Sequence, residues 1–498
     1  MMNAVEFITN SEKQTCQLAN ELSNYAEEGD FFGLTGDLGA GKSVFARAFL
    51  RALANNPELE VPSPTFTLVQ TYDDLRIKTS HFDLYRITDS AEVDELGLED
   101  ALIEGIVLVE WPDRLAGQHV TDRLMITIDD LSPTARRFTL TAHGTWQQKL
   151  ARWQSGTGFL QQAGWSGARR QFLQGDASHR RYERIDNMDR QAILMDMPHV
   201  ADGPIIAEKK TYSQLAHLAQ GVGPFITMTQ ALRSLNLSAP EIIASQPGDG
   251  FLLLEDLGHQ VYFDMAARQE DMSEPLRAAV DVLVHLAEKL SGSNLENPPI
   301  PPYDRTALQI EVELLPDWYW QRSKSTAIPR HIRLEFIELW QPLWQHLEHS
   351  PRIWTLRDYH SPNLVWLPQR NGTARVGLLD YQDAVLGAPA YDLVSLLQDA
   401  RRNIPHEVEA DLYDYYWQQL GRTAVKYDRN DFDIAYAILG AQRATKILGI
   451  FARLADRDNK PGYLAHIPRV RAYLERNLQH PCLEHLKLWF DRHLPQTP

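Results

Sequence analysis

The fold is decided by the stretch Gly36-Asp37-Leu38-Gly39-Ala40-Gly41-Lys42-Ser43, a complete G-x-x-x-x-G-K-[ST] phosphate-binding loop. The apolar residues 31–35 precede the loop and the periodic residues 44–54 follow it, so the sequence predicts a strand, the loop and a helix in that order. In such a loop, inward-facing backbone N–H groups and the positive end of the helix bind phosphate oxygens. We therefore expect all eight loop residues to bind ATP, with Lys42 at the β- and γ-phosphates and Ser43 as a Mg²⁺ ligand.

Two carboxylates stand at the ends of further predicted strands. Residues 106–110 form an apolar run that ends on Glu110, and residues 79–83 end on Asp83. In a fold built around this loop, a second Mg²⁺-associated group belongs at such a strand end. We predict that Glu110 contributes to Mg²⁺ binding and that Asp83 is a catalytic residue that orients water or metal.

A second, different phosphate-handling pattern lies more than three hundred residues downstream. It reads Arg357-Asp358-Tyr359-His360-Ser361-Pro362-Asn363 and is followed by an apolar run that ends on Asp380. Phosphoryl transfer to a hydroxyl needs a base near the acceptor and oxygen ligands for Mg²⁺. The spacing assigns Asp358 as the catalytic base and assigns Asn363 and Asp380 as Mg²⁺ ligands. Two unrelated ATP-binding patterns in one chain predict two fused catalytic units.

Length and composition fit this organisation. The chain has 498 residues, enough for about three domains, and we predict domains at 1–150, 155–258 and 259–498. Its net charge of −17 disfavours nonspecific binding to nucleic acid, so any RNA would be held by a partner. With two distant cysteines, no secretory signal and no long apolar stretch, the sequence predicts a cytoplasmic enzyme with inert thiols and no membrane contact.

The first part of the chain resembles the TsaE family of small ATPases, which serve the bacterial machinery that makes threonylcarbamoyladenosine in tRNA. The motifs that carry the resemblance are the phosphate loop, Ser63-Pro-Thr65-Phe-Thr67, His81-Phe-Asp83-Leu-Tyr-Arg86, Glu95-Leu-Gly-Leu-Glu-Asp100 and Val109-Glu110-Trp111-Pro112. The resemblance implies an α/β P-loop fold, a switch-like loop at Thr65 and a nucleotide contact from Arg136. It also implies transferase subunits as protein partners, only indirect contact with tRNA, and ATP turnover that resets the complex.

The remainder resembles the aminoglycoside-phosphotransferase and choline-kinase superfamily. The motifs are those around Asp358 and Asp380 together with Gly387-Ala-Pro-Ala-Tyr-Asp392. This implies a bilobal α+β kinase-like fold in which Ser178 and Arg181 belong to the nucleotide loop and Glu255 to an adenine-binding hinge. Within the superfamily the sequence is closest to the AmgK kinases, which phosphorylate the anomeric hydroxyl of N-acetylmuramate and N-acetylglucosamine. The implied substrate is therefore a small amino sugar.

One departure from the superfamily concerns the strand that usually carries a phosphate-binding lysine. Residues 192–198 contain no lysine, and Arg180, Arg181 or Lys209 are the candidates to replace it. The resemblance suggests a structural or acceptor-side place for His360 and an anchoring place for Asp392.

Alternatives remain open for the acceptor. A cluster of acidic and aromatic residues suits either a sugar pocket or packing between helices: Glu311, Glu313, Trp318, Tyr319 and Trp320. The acceptor could instead be an aminoglycoside, a choline-like amine or another small alcohol. An acidic pocket would favour a cationic acceptor, whereas a neutral, aromatic-walled pocket with a carboxylate-binding arginine would favour N-acetylmuramate. The missing lysine also leaves a non-enzymatic pseudokinase scaffold as a third reading.

Overall fold

The computed structural model describes residues 4–87, 92, 96–115, 120–175, 180–199, 202–207, 209–290 and 298–495. The chain divides into two compact units. The first comprises Met1–Asp196 with Ala244–Leu254, and the second comprises Met197–Ile243 with Glu255–Pro498.

A seven-stranded mixed sheet is the core of the N-terminal part of the first unit. Its strands are β1 (Ala4–Thr9), β2 (Phe31–Gly36), β3 (Val69–Tyr72), β4 (Thr79–Asp83), β5 (Ile106–Glu110), β6 (Arg123–Asp130) and β7 (Arg136–His143). They lie in the order β1-β7-β6-β2-β5-β4-β3, with β2 parallel to β5 and β6, and β4 parallel to β5. The helices of this part are α1 (Glu12–Ser23), α2 (Lys42–Leu53) and α3 (Leu98–Glu104).

The sheet is covered on both faces, because successive side chains of a strand point to opposite sides. On β2, Phe32 and Leu34 pack into the core that contains α1 and α2, whereas Phe31 packs into the core that contains α3. This burial on both faces explains why the central strands read as continuous apolar runs. The predicted α/β P-loop fold is confirmed.

Two glycines make the phosphate-binding loop possible. Gly36 has a φ of 154°, and a Cβ there would lie 2.5 Å from the carbonyl oxygen of Ile128. Gly41 has a φ of 108° at the residue before α2, a conformation that L side chains rarely adopt. The chain therefore passes directly from β2 through the loop into the N-terminus of α2.

A five-stranded sheet forms the rest of the first unit. Its strands are β8 (Arg169–Gly175), β9 (Arg181–Asn187), β10 (Arg190–Asp196), β13 (Ile242–Gln246) and β14 (Phe251–Glu255), in the order β13-β14-β10-β9-β8. The helix α4 (Trp146–Gln162) joins the two sheets and runs continuously through residue 150. The domain boundary near that residue stays a prediction.

A buried ion pair lies at the junction between α1 and β8. Arg170 donates to Glu183 at 2.6 and 3.0 Å, and both side chains are almost fully buried. The same guanidinium donates to the Tyr25 hydroxyl at 3.1 Å, and Glu21 lies 4.0 Å away and accepts a hydrogen bond from the Trp153 indole. The P-loop part and the five-stranded sheet are thereby joined through one shared polar core.

The second unit is mainly helical. Its strands are β11 (Ile205–Ala207), β12 (Lys210–Thr211), β15 (Ile353–Thr355), β16 (Leu364–Trp366), β17 (Val376–Leu378) and β18 (Val385–Gly387). Its helices are α5 (Tyr212–Leu215), α6 (Val222–Ser234), α7 (Tyr262–Ala267), α8 (Ser273–Lys289), α9 (Arg305–Val312), α10 (Trp320–Lys324), α11 (Arg330–Glu348), α12 (Ala390–Leu397), α13 (His406–Leu420), α14 (Arg429–Asp456), α15 (Ile467–Asn477) and α16 (Glu484–His493).

Two short antiparallel ribbons frame the predicted catalytic residues of this unit. β15 pairs with β18, and β16 pairs with β17. Between α9 and α10 lies a π-helical segment, Leu315–Tyr319. Pro316 lies in this segment and has no N–H to continue the α-helical hydrogen bonding.

The junction predicts a large loss of stability on substitution of Glu183. Glu183→Gln leaves the Arg170 charge buried without its carboxylate, which costs about 3–5 kcal/mol of unfolding free energy. Urea denaturation followed by circular dichroism measures this change. The control Glu6→Gln removes only an exposed contact to Arg137 and is expected to cost less than about 1 kcal/mol. Equal effects of the two changes would contradict the role given to the buried pair.

Candidate functional site

Lys42 is held inside the phosphate-binding loop. Its ammonium group donates to the carbonyl oxygens of Gly36 at 2.7 Å and Asp37 at 2.9 Å. The same nitrogen lies 3.7 Å from the centre of the Trp111 ring. Burial lowers the pKa of Lys42, an effect that Glu110 and other nearby carboxylates oppose. The ammonium is thus positioned by the loop at the place where phosphates are expected.

Ser43 and Glu110 meet beside the loop. The Ser43 hydroxyl donates to Glu110 Oε2 at 3.0 Å, and His81 Nε2 lies 3.1 Å from the other carboxylate oxygen. Glu110, at the end of β5, and His81, in the middle of the adjacent parallel strand β4, are both buried. One hydroxyl and one carboxylate oxygen fit Mg²⁺, which typically takes one or two carboxylates and completes its shell with phosphates and water.

Asp83 lies next to Glu110 in the register of β4 and β5. It accepts hydrogen bonds from the hydroxyl of Thr65 at 2.7 Å and that of Ser63 at 3.3 Å, and from the backbone N–H of Tyr85 at 3.1 Å. The carboxylate therefore connects the loop that contains Thr65 to the strand end that carries the metal candidate.

The outer side of the phosphate-binding loop is open. Asp37, Leu38 and Gly39 are exposed, whereas Ala40 is buried and its carbonyl oxygen accepts from Arg136 Nε at 3.1 Å. Arg136 also pairs with Asp130 at 2.7 Å. The structure thus places Arg136 against the loop backbone.

The second candidate site is built on the segment between β15 and β16. Asn363 donates through Nδ2 to the carbonyl oxygen of Asp358 at 2.9 Å and lies 3.4 Å from Asp380 Oδ2. Gln382 donates to the other oxygen of Asp380 at 2.8 Å. The structure therefore brings the three predicted residues together. Because the amide nitrogen of Asn363 faces the protein, its oxygen remains for a metal, and with Asp380 this set also fits Mg²⁺.

Two residues of this site have strained backbones. Arg357 has a φ of 69° and Asp380 a φ of 57°. Residues other than glycine rarely adopt this left-handed conformation, and such strain concentrates at functional sites. Asp392 supports the loop by accepting from the backbone N–H groups of Leu356 at 2.6 Å and Arg357 at 3.0 Å.

Basic side chains lie close to the half-buried Asp358 carboxylate. His360 Nε2 lies 3.9 Å and Arg443 4.0 Å from its Oδ1. Burial alone would raise the pKa of Asp358, but the charge of Lys446, followed by those of His360 and Arg443, lowers the pKa to about 2. Burial lowers the pKa of His360 to about 4. At neutral pH, Asp358 is therefore an anion beside a neutral imidazole.

Glu311 is the centre of a buried ionic cluster beneath the loop. It pairs with Arg357 through a short contact and accepts from Lys446 at 2.8 Å and from Gln442 at 2.8 Å. Burial opposes its ionisation, but Lys446 and Arg357 lower the pKa of Glu311 to about 2. Of the two readings for the acidic and aromatic segment, this favours packing for Glu311 and the buried Trp320.

The nucleotide-loop candidates are described only in part. Ser178 lies outside the described residues. Arg181 begins β9, where its guanidinium lies 4.1 Å from the centre of the Tyr25 ring and 3.9 Å from Asp196. β10 carries no lysine, and Lys209 is exposed between β11 and β12. The replacement of this lysine by Arg180, Arg181 or Lys209 stays a prediction.

The hinge candidate Glu255 is held by hydrogen bonds to two other segments of the same chain. Its backbone N–H donates to the carbonyl oxygen of Glu241 at 2.8 Å, and its carboxylate accepts from the backbone N–H of Glu241 at 3.1 Å. Arg370 pairs with the same carboxylate through a short contact. The backbone N–H of Glu255 is thus already engaged, and its role in adenine binding remains a prediction.

Several functional residues were not found from the sequence. His81 and the supporting residues Lys446 and Arg443 are far in sequence from the carboxylates that they contact. The usable signal was the presence of Arg443 and Lys446 in an otherwise apolar stretch of α14, since buried charges are rare without partners. The two cysteines are free, as expected.

Comparison with known proteins assigns the N-terminal and the C-terminal part of the chain to two different families. The family model for "Threonylcarbamoyl adenosine biosynthesis protein TsaE" matches residues 9–138, and that for "Phosphotransferase enzyme family" matches residues 169–432. The chain belongs to both families. The N-acetylmuramate/N-acetylglucosamine kinase of Caulobacter vibrioides is 37% identical over 353 residues, which cover 68% of this chain and 95% of that protein. The TsaE protein of Bacillus subtilis is 34% identical over 150 residues, covering 30% of this chain and 92% of that protein.

Among solved structures, the chain is similar to the GDP complex of aminoglycoside 2′-phosphotransferase-IIIa. The sequence identity is 14% and the TM-score is 0.44, over 64% of this chain and 98% of that one.

Within the described residues, no helix combines the length and apolarity that a membrane crossing requires. The same residues contain no group of three or more His, Cys, Asp or Glu side chains arranged around a common metal position.

The cluster around Glu311 predicts a pH-dependent contribution to stability. Its pKa of about 2 lies below the ordinary value of 4.5, so the stabilisation is complete above about pH 5 and is lost as the pH falls toward 2. We expect Glu311→Gln to reduce the unfolding free energy by about 3 kcal/mol at pH 7 and by much less near pH 3. Urea titrations at both pH values measure this.

The matched control is Glu348→Gln, which removes an exposed pair with Arg305. Exposed pairs contribute little, so this variant should differ from the wild type by less than about 1 kcal/mol at pH 7. A Glu311→Gln effect that stays constant between pH 7 and pH 3 would contradict the ionised state assigned to Glu311.

Proposed function

We propose that this cytoplasmic protein is bifunctional. Its first activity is ATP hydrolysis in support of threonylcarbamoyladenosine formation in tRNA. Its second activity is ATP-dependent phosphorylation of the anomeric hydroxyl of N-acetylmuramate and N-acetylglucosamine in cell-wall recycling. The observation that carries the proposal is that each half holds its own set of residues that fits Mg²⁺, Ser43 with Glu110 and Asn363 with Asp380, in addition to the two family memberships.

In the first activity, the phosphate loop holds ATP. Lys42 would exchange its two carbonyl partners for phosphate oxygens, while Ser43 and Glu110 hold Mg²⁺. Asp83 would orient the attacking water, a role supported by its place beside Glu110 and its bond to Thr65. The protein partners would be the transferase subunits of the tRNA-modification complex, with tRNA contacted through them.

In the second activity, Asp358 orients the sugar hydroxyl. A carboxylate with a pKa of about 2 is a weak base, so it acts mainly by accepting the hydrogen bond of the hydroxyl and taking the proton late. This suits a loose transition state in which positioning dominates. Asn363 and Asp380 would hold Mg²⁺, which supplies charge neutralisation on the phosphates.

The charge around Asp358 supports an uncharged or anionic acceptor. Arg443 lies 4.0 Å from its Oδ1 and Lys446 adds further positive charge, whereas His360 is neutral at neutral pH. A polycationic aminoglycoside or a choline-like amine would be repelled by Arg443 and Lys446. The local charge therefore favours the N-acetylated amino sugars as acceptors, in agreement with the relatives named N-acetylmuramate/N-acetylglucosamine kinase.

A pseudokinase scaffold is the second candidate, favoured only by the absence of a lysine from β10. The hydrogen-bonded Asp358, Asn363 and Asp380 oppose it, because a scaffold needs none of the three.

We expect Asp358→Ala to lower kcat for sugar phosphorylation by about 10²–10⁴-fold, because the group that orients the hydroxyl is lost. The assay offers ATP and Mg²⁺ with N-acetylmuramate, N-acetylglucosamine, kanamycin or choline. Phosphate on carbon 1 of an N-acetyl sugar, lost in the variant, supports the proposal. Transfer to kanamycin or choline alone, or to no acceptor, would overturn it.

The N-terminal activity has a separate test. We expect Lys42→Ala to abolish support of tRNA threonylcarbamoylation in a reconstituted system with the transferase subunits, because the phosphates lose their main cation. Sugar phosphorylation serves as the internal control and should persist in this variant. Full tRNA modification by Lys42→Ala would refute the assignment.

A further inference from the structure

Arg401, near the catalytic loop, has no ion-pair partner among the carboxylates of the described residues. Arg401 is half-buried, and no carboxylate of the described residues lies within ion-pair distance of its guanidinium. The carboxylate of Asp399 accepts the backbone N–H of Arg401 and is otherwise engaged by Ser361. A half-buried guanidinium without an ion-pair partner can bind the carboxylate of a ligand.

Buried donors without acceptors point the same way. Within the described chain, Arg402 Nη1, Arg443 Nε and His360 Nδ1 are buried and make no hydrogen bond. Buried polar groups without partners are rare and need an explanation, of which a missing ligand is one. Arg443 and His360 both lie within about 4 Å of the Asp358 carboxylate, so acceptor atoms of a ligand placed near Asp358 would lie close to these donors.

His360 connects Arg401 to the reacting position. Its Nε2 lies 3.5 Å from Arg401 Nη1 and 3.9 Å from Asp358 Oδ1. Because both distances are measured from one nitrogen, the Arg401 guanidinium lies no farther from the Asp358 carboxylate than their sum. A guanidinium within that limit can reach a second substituent of a sugar ring whose anomeric hydroxyl is on Asp358.

We propose that Arg401 binds a carboxylate of the acceptor and so selects N-acetylmuramate over N-acetylglucosamine, an inference that rests on the proposed kinase function. The two sugars differ only in the lactyl ether on carbon 3 of N-acetylmuramate, which adds one carboxylate two ring atoms from the anomeric carbon. A guanidinium binds a carboxylate through two parallel charge-assisted hydrogen bonds. With the anomeric hydroxyl on Asp358, the lactyl carboxylate lies on the Arg401 side of His360.

The test compares kcat/KM for the two sugars in the wild type, Arg401→Gln and Arg401→Lys. We expect Arg401→Gln to lower the ratio of kcat/KM for N-acetylmuramate to that for N-acetylglucosamine by about tenfold or more, mainly through KM. Arg401→Lys should restore part of the ratio, because it keeps the charge but not the bidentate geometry. The matched control Arg422→Gln changes an exposed arginine at the end of α13 and should leave the ratio unchanged.

The ratio separates specificity from damage to the loop. A change that only disturbs His360 or folding lowers kcat/KM for both sugars together and leaves the ratio unaltered, which would overturn the inference and leave the kinase function standing. An unaltered ratio with unaltered rates would overturn it in the same way. Phosphorylation of neither sugar by the wild type would instead overturn the proposed function, and the inference with it.

Discussion

The buried pair between Arg357 and Glu311 is the interaction on which the C-terminal site depends. Arg357 precedes Asp358 in the chain, has a left-handed backbone and directs its guanidinium to the interior, where it also donates to the carbonyl oxygen of Ala216 at 2.8 Å. A buried charge of this kind is tolerated only with a well-placed counter-charge. The pair therefore fixes the backbone that presents Asp358, and Lys446, which contacts the same Glu311, adds positive charge that keeps Asp358 ionised.

The first unit uses a comparable device for a different purpose. Arg170 and Glu183 pair within the five-stranded sheet, while Tyr25 and Glu21 come from the P-loop part. The TsaE family model matches residues 9–138 and the phosphotransferase model residues 169–432, so this contact joins side chains from the two matched regions. The fusion thus has a polar core of its own, and the P-loop part is joined to the kinase-like sheet by more than the helix α4.

The sequence predicted those features that are local in the chain. The residues of the loop 36–43 are consecutive, and Asp358, Asn363 and Asp380 lie within one short segment. In each case the residue types and their spacing are enough to predict the chemistry. Pairings such as Arg170 with Tyr25, or Arg357 with Glu311, depend on tertiary contacts between distant segments, so no local sequence pattern predicts them. The segment around Glu311 illustrates the limit, because acids and aromatics at helical spacing fit a sugar pocket and a helix interface equally well until burial is known.

The central claim is that one chain holds two independent sites for ATP and Mg²⁺. Isothermal titration with a non-hydrolysable ATP analogue and Mg²⁺ tests it most directly, through the number of nucleotides bound per chain. The account predicts two in the wild type, one in Lys42→Ala and one in Asp380→Asn, with each variant folded by circular dichroism. A single bound nucleotide in the wild type, or loss of both in either folded variant, would contradict it.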